Sequence, residues 1–274
     1  MLSGKTFHYN NTVRITRLYH SENLICGKTT ELDKNTSAHL VRVLRTKAKT
    51  PVILFNGDGN DYLCKTLNDH PKKTLIAVES KIKTNNESNL FVTLIQGLSR
   101  LDRMETTIQK SVELGVNKII PVLCQYSNTR LNEAQWHKDV PSTNLRMEKQ
   151  QKKLDHWRKI VISACEQSGR SILPEITAIS SLNKIDSLLN PDALKIILNP
   201  ESRKSLKEIT PSQNEENNCA IEIFIGPEGG LAADNITYLQ TLQFQNICFG
   251  PRILRTETAG PAVISALQML WGDF

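Results

Sequence analysis

Gly226-Pro227-Glu228-Gly229-Gly230 and Gly250-Pro251-Arg252-Ile253-Leu254-Arg255-Thr256-Glu257-Thr258-Ala259-Gly260 hold the residues best placed to do chemistry. Each segment directly follows an apolar, strand-like run, Ile221–Ile225 and Ile247–Phe249, and each leads into a helical pattern. Loops at the carboxyl ends of buried strands are where an α/β sheet builds a small-molecule pocket. Glycine there admits positive φ and lets a ligand approach the main-chain N–H and C=O groups. The same composition also marks an ordinary β-to-α turn.

The elements that must position these loops follow from periodicity. From residue 90 onward the pattern alternates β, α, β, α. Phe91–Ile95, Ile119–Leu123, Leu194–Leu198, Ile221–Ile225 and Ile247–Phe249 are apolar runs, as in strands covered on both faces. Leu101, Met104, Ile108 and Val112 form one helical stripe that ends at Gly115, and Ser99-x-x-Asp102 has the spacing of a capping box. Leu154, Trp157, Val161 and Ala164 mark a longer helix closed by Gly169, and Val263, Ala266, Leu267, Leu270 and Trp271 a final amphipathic one. This alternation predicts a mostly parallel sheet covered by helices. Neither Gly-x-Gly-x-x-Gly nor Gly-x-x-x-x-Gly-Lys-Ser/Thr occurs, which argues against nicotinamide and nucleoside-triphosphate sites.

The first third reads differently. Arg14–Tyr19, Val52–Phe55, Tyr62–Leu67 and Thr74–Val78 are short strands, and Asn56-Gly57-Asp58-Gly59-Asn60-Asp61 is a hairpin turn. One small helix, capped by Thr36 or Ser37, is expected to turn Leu40, Val43 and Leu44 inward and to carry Arg42, Arg45 and Lys49 on its other side. These elements predict a compact β-barrel over residues 13–83. Residues 1–12 lack periodicity and read as a disordered leader, residues 84–89 as a polar linker, and residues 213–218 as an exposed acidic loop.

Residues 1–85 hold 14 Lys+Arg against 7 Asp+Glu, whereas the rest of the chain holds 20 against 21. A basic first module joined to a near-neutral second one fits a nucleic-acid partner, and equally a solvated basic surface. None of the six cysteines forms a C-x-x-C pair, so no zinc site is expected. With no signal peptide and no apolar run long enough to span a bilayer, a reduced cytoplasmic compartment is the simplest fit.

Five segments in order, from about Val13 to the end, carry a family resemblance: His39-Leu40-Val41-Arg42-Val43-Leu44-Arg45; Gln96-Gly97-Leu98-Ser99-Arg100 with Ile108-Gln109-Lys110-Ser111-Val112-Glu113-Leu114-Gly115; Ala164-Cys165-Glu166-Gln167-Ser168-Gly169-Arg170; and the two glycine loops. The chain resembles the α/β-knot (SPOUT) RNA methyltransferases, and within them the bacterial family that methylates uridine N3 in 16S ribosomal RNA. The resemblance implies a PUA-like RNA-binding domain over residues 13–83 and a trefoil-knot methyltransferase domain over residues 90–274. It also implies S-adenosylmethionine as cofactor and a homodimer in which the final helix packs on its twin through Val263, Leu267 and Trp271. Its leader before Val13 and the Arg in place of the family's frequent Lys at residues 99–103 are mild departures.

By that resemblance three loops hold the cofactor: Leu198-Asn199-Pro200-Glu201; Gly226, Pro227, Glu228, Gly229 and Gly230; and Phe249, Gly250, Ile253, Leu254, Arg255 and Thr256. Leu198–Glu201 also reads as a plain strand exit. A protonated uracil N3 is a poor nucleophile, so the site should accept its proton or stabilise negative charge on the flanking carbonyls. Arg255 is the candidate charge-stabilising group. Glu228 and Glu257 are candidate proton acceptors or holders of Arg255, although Glu257 beside a helix start also simply suits the helix dipole. Arg14, Arg17, Arg42, Arg45, Arg100, Arg103 and Arg170 are candidate RNA contacts, and each one alone also reads as a solvated charge. The other readings are a non-catalytic RNA-binding protein, against which the paired glycine loops argue, and methylation of a ribose 2′-hydroxyl or a transfer-RNA base.

Overall fold

A computed structural model describes residues 15–127, 144–211 and 219–274. Arg14, the expected leader and the expected loop at residues 213–218 lie outside the described residues. The chain divides into two units, residues 1–85 and 86–274.

In the first unit a five-stranded sheet runs in the order β1-β3-β4-β5-β2, with β1 Thr16–Tyr19, β2 Thr29–Glu31, β3 Pro51–Phe55, β4 Asn60–Thr66 and β5 Leu75–Lys83. β1 lies parallel to β3, and the remaining pairs are antiparallel. The core gathers Leu18, Leu54, Tyr62 and Ile76 from the inward positions of the strands, with Leu32 and Leu40 from the segments between them. The hairpin turn after β3 is set by Asp58, whose carboxylate accepts the N–H of Asn60 and the hydroxyl of Tyr62.

Helix α1 (Lys34–Ala38) is capped by Asp33 rather than by Thr36 or Ser37; its carboxylate accepts the N–H groups of Asn35 and Thr36. A π-turn follows over His39–Val43, closed by Leu44 N–H donating to the His39 carbonyl at 3.1 Å. This changes the expected packing. Leu40 is buried, but Val43 and Leu44 are 65% and 43% exposed, because the wider π-turn carries them past the face that Leu40 buries.

The second unit is built on a seven-stranded sheet, ordered β12-β10-β11-β6-β7-β8 with β9 also on β7, and every pair is parallel. The strands are β6 Leu90–Gly97, β7 Lys118–Leu123, β8 Glu175–Ile176, β9 Ser180–Ser181, β10 Leu194–Leu198, β11 Cys219–Ile225 and β12 Gln245–Ile247. The helices are α2 Leu101–Glu113, α3 Asn144–Ser168, α4 Ala233–Thr241 and α5 Thr256–Trp271. On one face α2 packs against both α3 and α5, and α5 lies on β6 and β11. On the other face Ile95, Ile120, Ile197 and Phe224 meet Leu239 of α4 and Phe244.

Residues 86–88, which begin this unit, do more than connect. Asn86 donates to the Gly169 carbonyl, Glu87 pairs with Arg170, and Ser88 donates to Gln268 in α5. Val263 and Leu267 are fully buried in their own unit, so they cannot form the expected dimer stripe. Their spacing puts them on the α5 side that rests on β6 and β11, and Ala262, Ser265, Ala266 and Met269 face outward.

Candidate active site

The neighbouring strands β6 and β11 feed opposite halves of the sheet: β6 leads through α2 to β7, and β11 leads through α4 to β12. A crevice at the carboxyl ends of two such strands is the position where open α/β sheets bind ligands. A pocket of about 580 Å³ lies there. Its walls bring together Leu198, Asn199, Pro200 and Glu201 after β10, Gly226, Pro227, Glu228 and Gly230 after β11, and Phe249, Gly250, Arg252, Ile253, Leu254, Arg255 and Thr256 after β12. The volume falls within the ordinary range for a cofactor-sized ligand.

Backbone geometry explains the glycines. Gly230 and Gly250 have φ of +76° and +79°, which an L side chain rarely adopts. Gly97, at the end of β6, allows β11's exit to close over it: a Cβ there would lie 2.6 Å from both Cδ and N of Pro227. Gly229 does not line the pocket. It stands behind the wall on Tyr126, where an added Cβ would lie 2.7 Å from Tyr126 Cβ.

A chain of hydrogen bonds ties the loops together. Gln96 is fully buried, and its Nε2 donates to the Gly97 carbonyl at 3.0 Å and to Thr256 Oγ1 at 2.9 Å. Thr256 Oγ1 in turn donates to the Gly226 carbonyl at 2.8 Å. Thus β6, the loop after β11 and the start of α5 share one polar clasp.

The charged residues separate into distinct settings. Arg255 is exposed at the N-cap of α5, lines the pocket and makes no ion pair among the described residues. Glu228 lines the pocket, and its Oε1 accepts the Arg100 N–H at 2.9 Å. This long-range carboxylate stands at the start of α2 in place of the expected capping box. The N-cap there is Arg100, without a side-chain cap bond, while Ser99 Oγ is buried and unpartnered. Arg103 lines the pocket too, with Nη1 3.6 Å from Glu228 Oε1 and Nε 3.9 Å from Glu257 Oε2. Glu257 is therefore reached through Arg103 rather than forming the wall. Glu228 Oε2 and Glu257 Oε2 are buried and accept no hydrogen bond among the described residues.

Two expected RNA contacts are structural instead. Arg170 is 3% exposed; its guanidinium pairs with Glu87 and donates to the carbonyls of Val112 and Val116. Arg17 makes a two-pronged pair with Asp61 at 2.6 and 3.2 Å and lies over the Phe55 ring. Each guanidinium is fully directed inward, where its fork geometry matches a carboxylate. Arg42, Arg45 and Arg100 are exposed.

Sequence reasoning missed Leu231, Ile236 and the inward position of Arg103. Leu231 and Ile236 carried no distinctive signal, since their direction depends on the turn path at Gly230. Gln96 did carry one: it is a polar residue inside an otherwise apolar strand. Among the described residues no cluster of three or more His, Cys, Asp or Glu could hold a metal, and no helix is long and apolar enough to cross a membrane.

The residues fit S-adenosylmethionine: positive-φ glycines free the main chain to meet a nucleoside, and Leu198, Ile225, Leu231 and Leu254 offer apolar walls. A parallel sheet with such a pocket, in a chain that also folds a small five-stranded unit, fits a two-domain RNA methyltransferase. Residues 86–268 match the model of an RNA methyltransferase domain, and residues 32–79 that of an RNA methyltransferase PUA domain. The chain is 34% identical, over 95% of its length and 98% of the relative's, to ribosomal RNA small subunit methyltransferase E of Buchnera aphidicola subsp. Schizaphis graminum. It is 28% identical to the Bacillus subtilis protein of the same name, over 86% of this chain and 89% of that one. The crystal structure of ribosomal RNA small subunit methyltransferase E from Neisseria gonorrhoeae bound to S-adenosyl methionine superposes with a TM-score of 0.82 at 33% identity, covering 95% of this chain and 100% of that one. The chain belongs to the ribosomal RNA small subunit methyltransferase E family.

Proposed function

We propose that this protein transfers the methyl group of S-adenosylmethionine to N3 of one uridine in 16S ribosomal RNA. The observation that carries the reading is the convergence of three strand-exit loops on one pocket that Arg103, Glu228 and Arg255 also line. When bound, S-adenosylmethionine supplies an electrophilic methyl, so the N3–carbon bond forms as the carbon–sulfur bond breaks with its electron pair staying on sulfur.

The chain's own work is alignment and electrostatics. The loops after β10, β11 and β12 would hold adenine and ribose through main-chain groups, and the Gln96–Thr256–Gly226 clasp fixes the spacing of the last two. Arg255, which lines the pocket and has no ion-pair partner among the described residues, stabilises charge on a uracil carbonyl. Glu228, whose side chain lines the pocket, accepts the N3 proton. Arg42, Arg45 and Arg100 meet RNA phosphate, Arg42 and Arg45 in the PUA unit.

The reading also includes a homodimer and a cytoplasmic setting, where ribosomal subunits are assembled. The exposed apolar side of α5 and its exit, Met269, Leu270 and Phe274, supports a self-contact in place of the buried Val263 and Leu267. Light scattering at micromolar concentration tests it, and a monomer refutes it. For the activity, ribosomal RNA from cells lacking the protein is digested and weighed. The expected result is one missing methyl on a uridine; an unchanged spectrum defeats the reading.

A further inference from the structure

Arg103 is an odd residue where it stands. It occupies the first turn of α2, where the helix dipole disfavours a cation. Two carboxylates from distant segments, Glu228 and Glu257, offset that penalty at 3.6 and 3.9 Å. Those distances are ion-pair contacts beyond hydrogen-bond reach, so the guanidinium makes no hydrogen bond to a side chain among the described residues and keeps its donors available. Its side chain is 28% exposed, recessed in the pocket wall, and the two carboxylates each keep one buried oxygen without a donor.

Two carboxylates beside one guanidinium offer a proton acceptor and a hydrogen-bond donor together, which suits a neutral base that has a proton to give. We propose that Arg103 is a catalytic residue that contacts the target base. Its guanidinium donates to the uracil carbonyl next to N3 while the carboxylate of Glu228, which also lines the pocket, takes the N3 proton. The N3–H bond breaks, the proton forms an O–H bond on the carboxylate, and the electron pair left on N3 spreads onto the carbonyl oxygen facing Arg103. Charge-assisted donation to that oxygen is stronger once it is anionic, so the contact favours the deprotonated base over the neutral one. Arg255 then serves the carbonyl on the other side of N3. The imide pattern of carbonyl, N–H, carbonyl is thereby recognised by cation, carboxylate, cation. Cytosine, whose N3 carries no proton, cannot satisfy the carboxylate.

This inference rests on the uridine N3 reading above. The test compares the full-length protein with Arg103→Gln and Arg103→Lys. Affinity for S-adenosylmethionine is measured by calorimetry, affinity for a 16S ribosomal RNA fragment by fluorescence anisotropy, and turnover on that fragment with either uridine or 5-fluorouridine at the target. Fluorine makes the N3 proton more acidic and so substitutes for a lost anion-stabilising group. Arg103→Gln is expected to keep both affinities within about threefold and to lose turnover on the order of 100-fold, as for removal of one oxyanion donor. Arg103→Lys recovers part of that loss, and 5-fluorouridine rescues Arg103→Gln far more than it speeds the unaltered protein. Weaker RNA binding with a shallower salt dependence and unchanged turnover would make Arg103 a phosphate contact and overturn the proposal. Loss of donor binding in both variants would make it a scaffold of the pocket and overturn it too, as would an equal loss on both substrates. If the unaltered protein binds no donor or leaves the uridine unmethylated, the underlying reading fails instead.

Discussion

Arginines of one chemistry have opposite roles in this molecule, and their surroundings decide which. Arg255 is exposed at the mouth of the pocket without an ion-pair partner among the described residues, so Arg255→Ala should remove charge stabilisation and little else. Turnover is expected to fall on the order of 100- to 1000-fold with donor affinity changed less than about threefold, checked by initial rates and calorimetry. Arg170 is the contrary case. Arg170→Met leaves Glu87 half-buried and the Val112 and Val116 carbonyls without their donor. Breaking one side of such a pair costs about 3–5 kcal/mol, so urea unfolding should show a large loss of stability, while RNA affinity of the protein that remains folded is unchanged. The residue types and spacing in the two glycine loops were legible because strand exits, glycines and charges follow local rules. The fates of Arg17, Arg103 and Arg170 were not, because each is set by a carboxylate far away in sequence: Asp61, Glu228 with Glu257, and Glu87.

The strands and helices of the second unit follow their apolar periodicity closely, and the errors lie in direction rather than existence. Val43 and Leu44 point outward because a π-turn changes the phase of the helix, which hydrophobic spacing at 3.6 residues cannot register. α2 lacks its own cap because Glu228, delivered by the exit of β11, stands at its start. Val263 and Leu267 were expected on an interface, yet they serve the contact of α5 with the sheet. The start of α5 gives a separate prediction. Thr256 relays the bond from Gln96 to the Gly226 carbonyl, so Thr256→Val removes a donor and an acceptor at constant size, while Thr256→Ser keeps both. Two hydrogen bonds are lost, each worth about 0.5–1.5 kcal/mol. Affinity for the methyl donor should accordingly weaken up to about 100-fold for Val and hardly at all for Ser, as read by titration calorimetry.

In the molecule as a whole, the chemistry and a buried carboxyl occupy different positions along the parallel sheet. The pocket lies at the carboxyl ends, while Glu222, 2% exposed, sits at the middle of β11 in register with Lys195. Burial pushes the Glu222 carboxyl up from its ordinary 4.5, and the Asn190 N–H with Lys195 and Lys118 pulls it partly back. The folded state therefore holds this proton more tightly than the unfolded chain does. The stability this contributes is fully present below about pH 4.5 and is lost as pH rises through the raised value. Glu222→Gln keeps the shape and the bond from Asn190, so it should raise the melting temperature more at pH 8 than at pH 4.5, by differential scanning calorimetry. Glu222 does not line the pocket, so methyl transfer should continue with unchanged donor affinity.

All three pocket loops come from residue 198 onward, and they are fastened to a helix that ends at residue 271. Translation delivers these segments after the PUA portion. A nascent polypeptide interrupted before residue 198 has its PUA portion already synthesised but nothing with which to grip a methyl donor. Premature termination, or proteolytic loss of the tail, therefore yields fragments that are unable to modify RNA whatever else they retain.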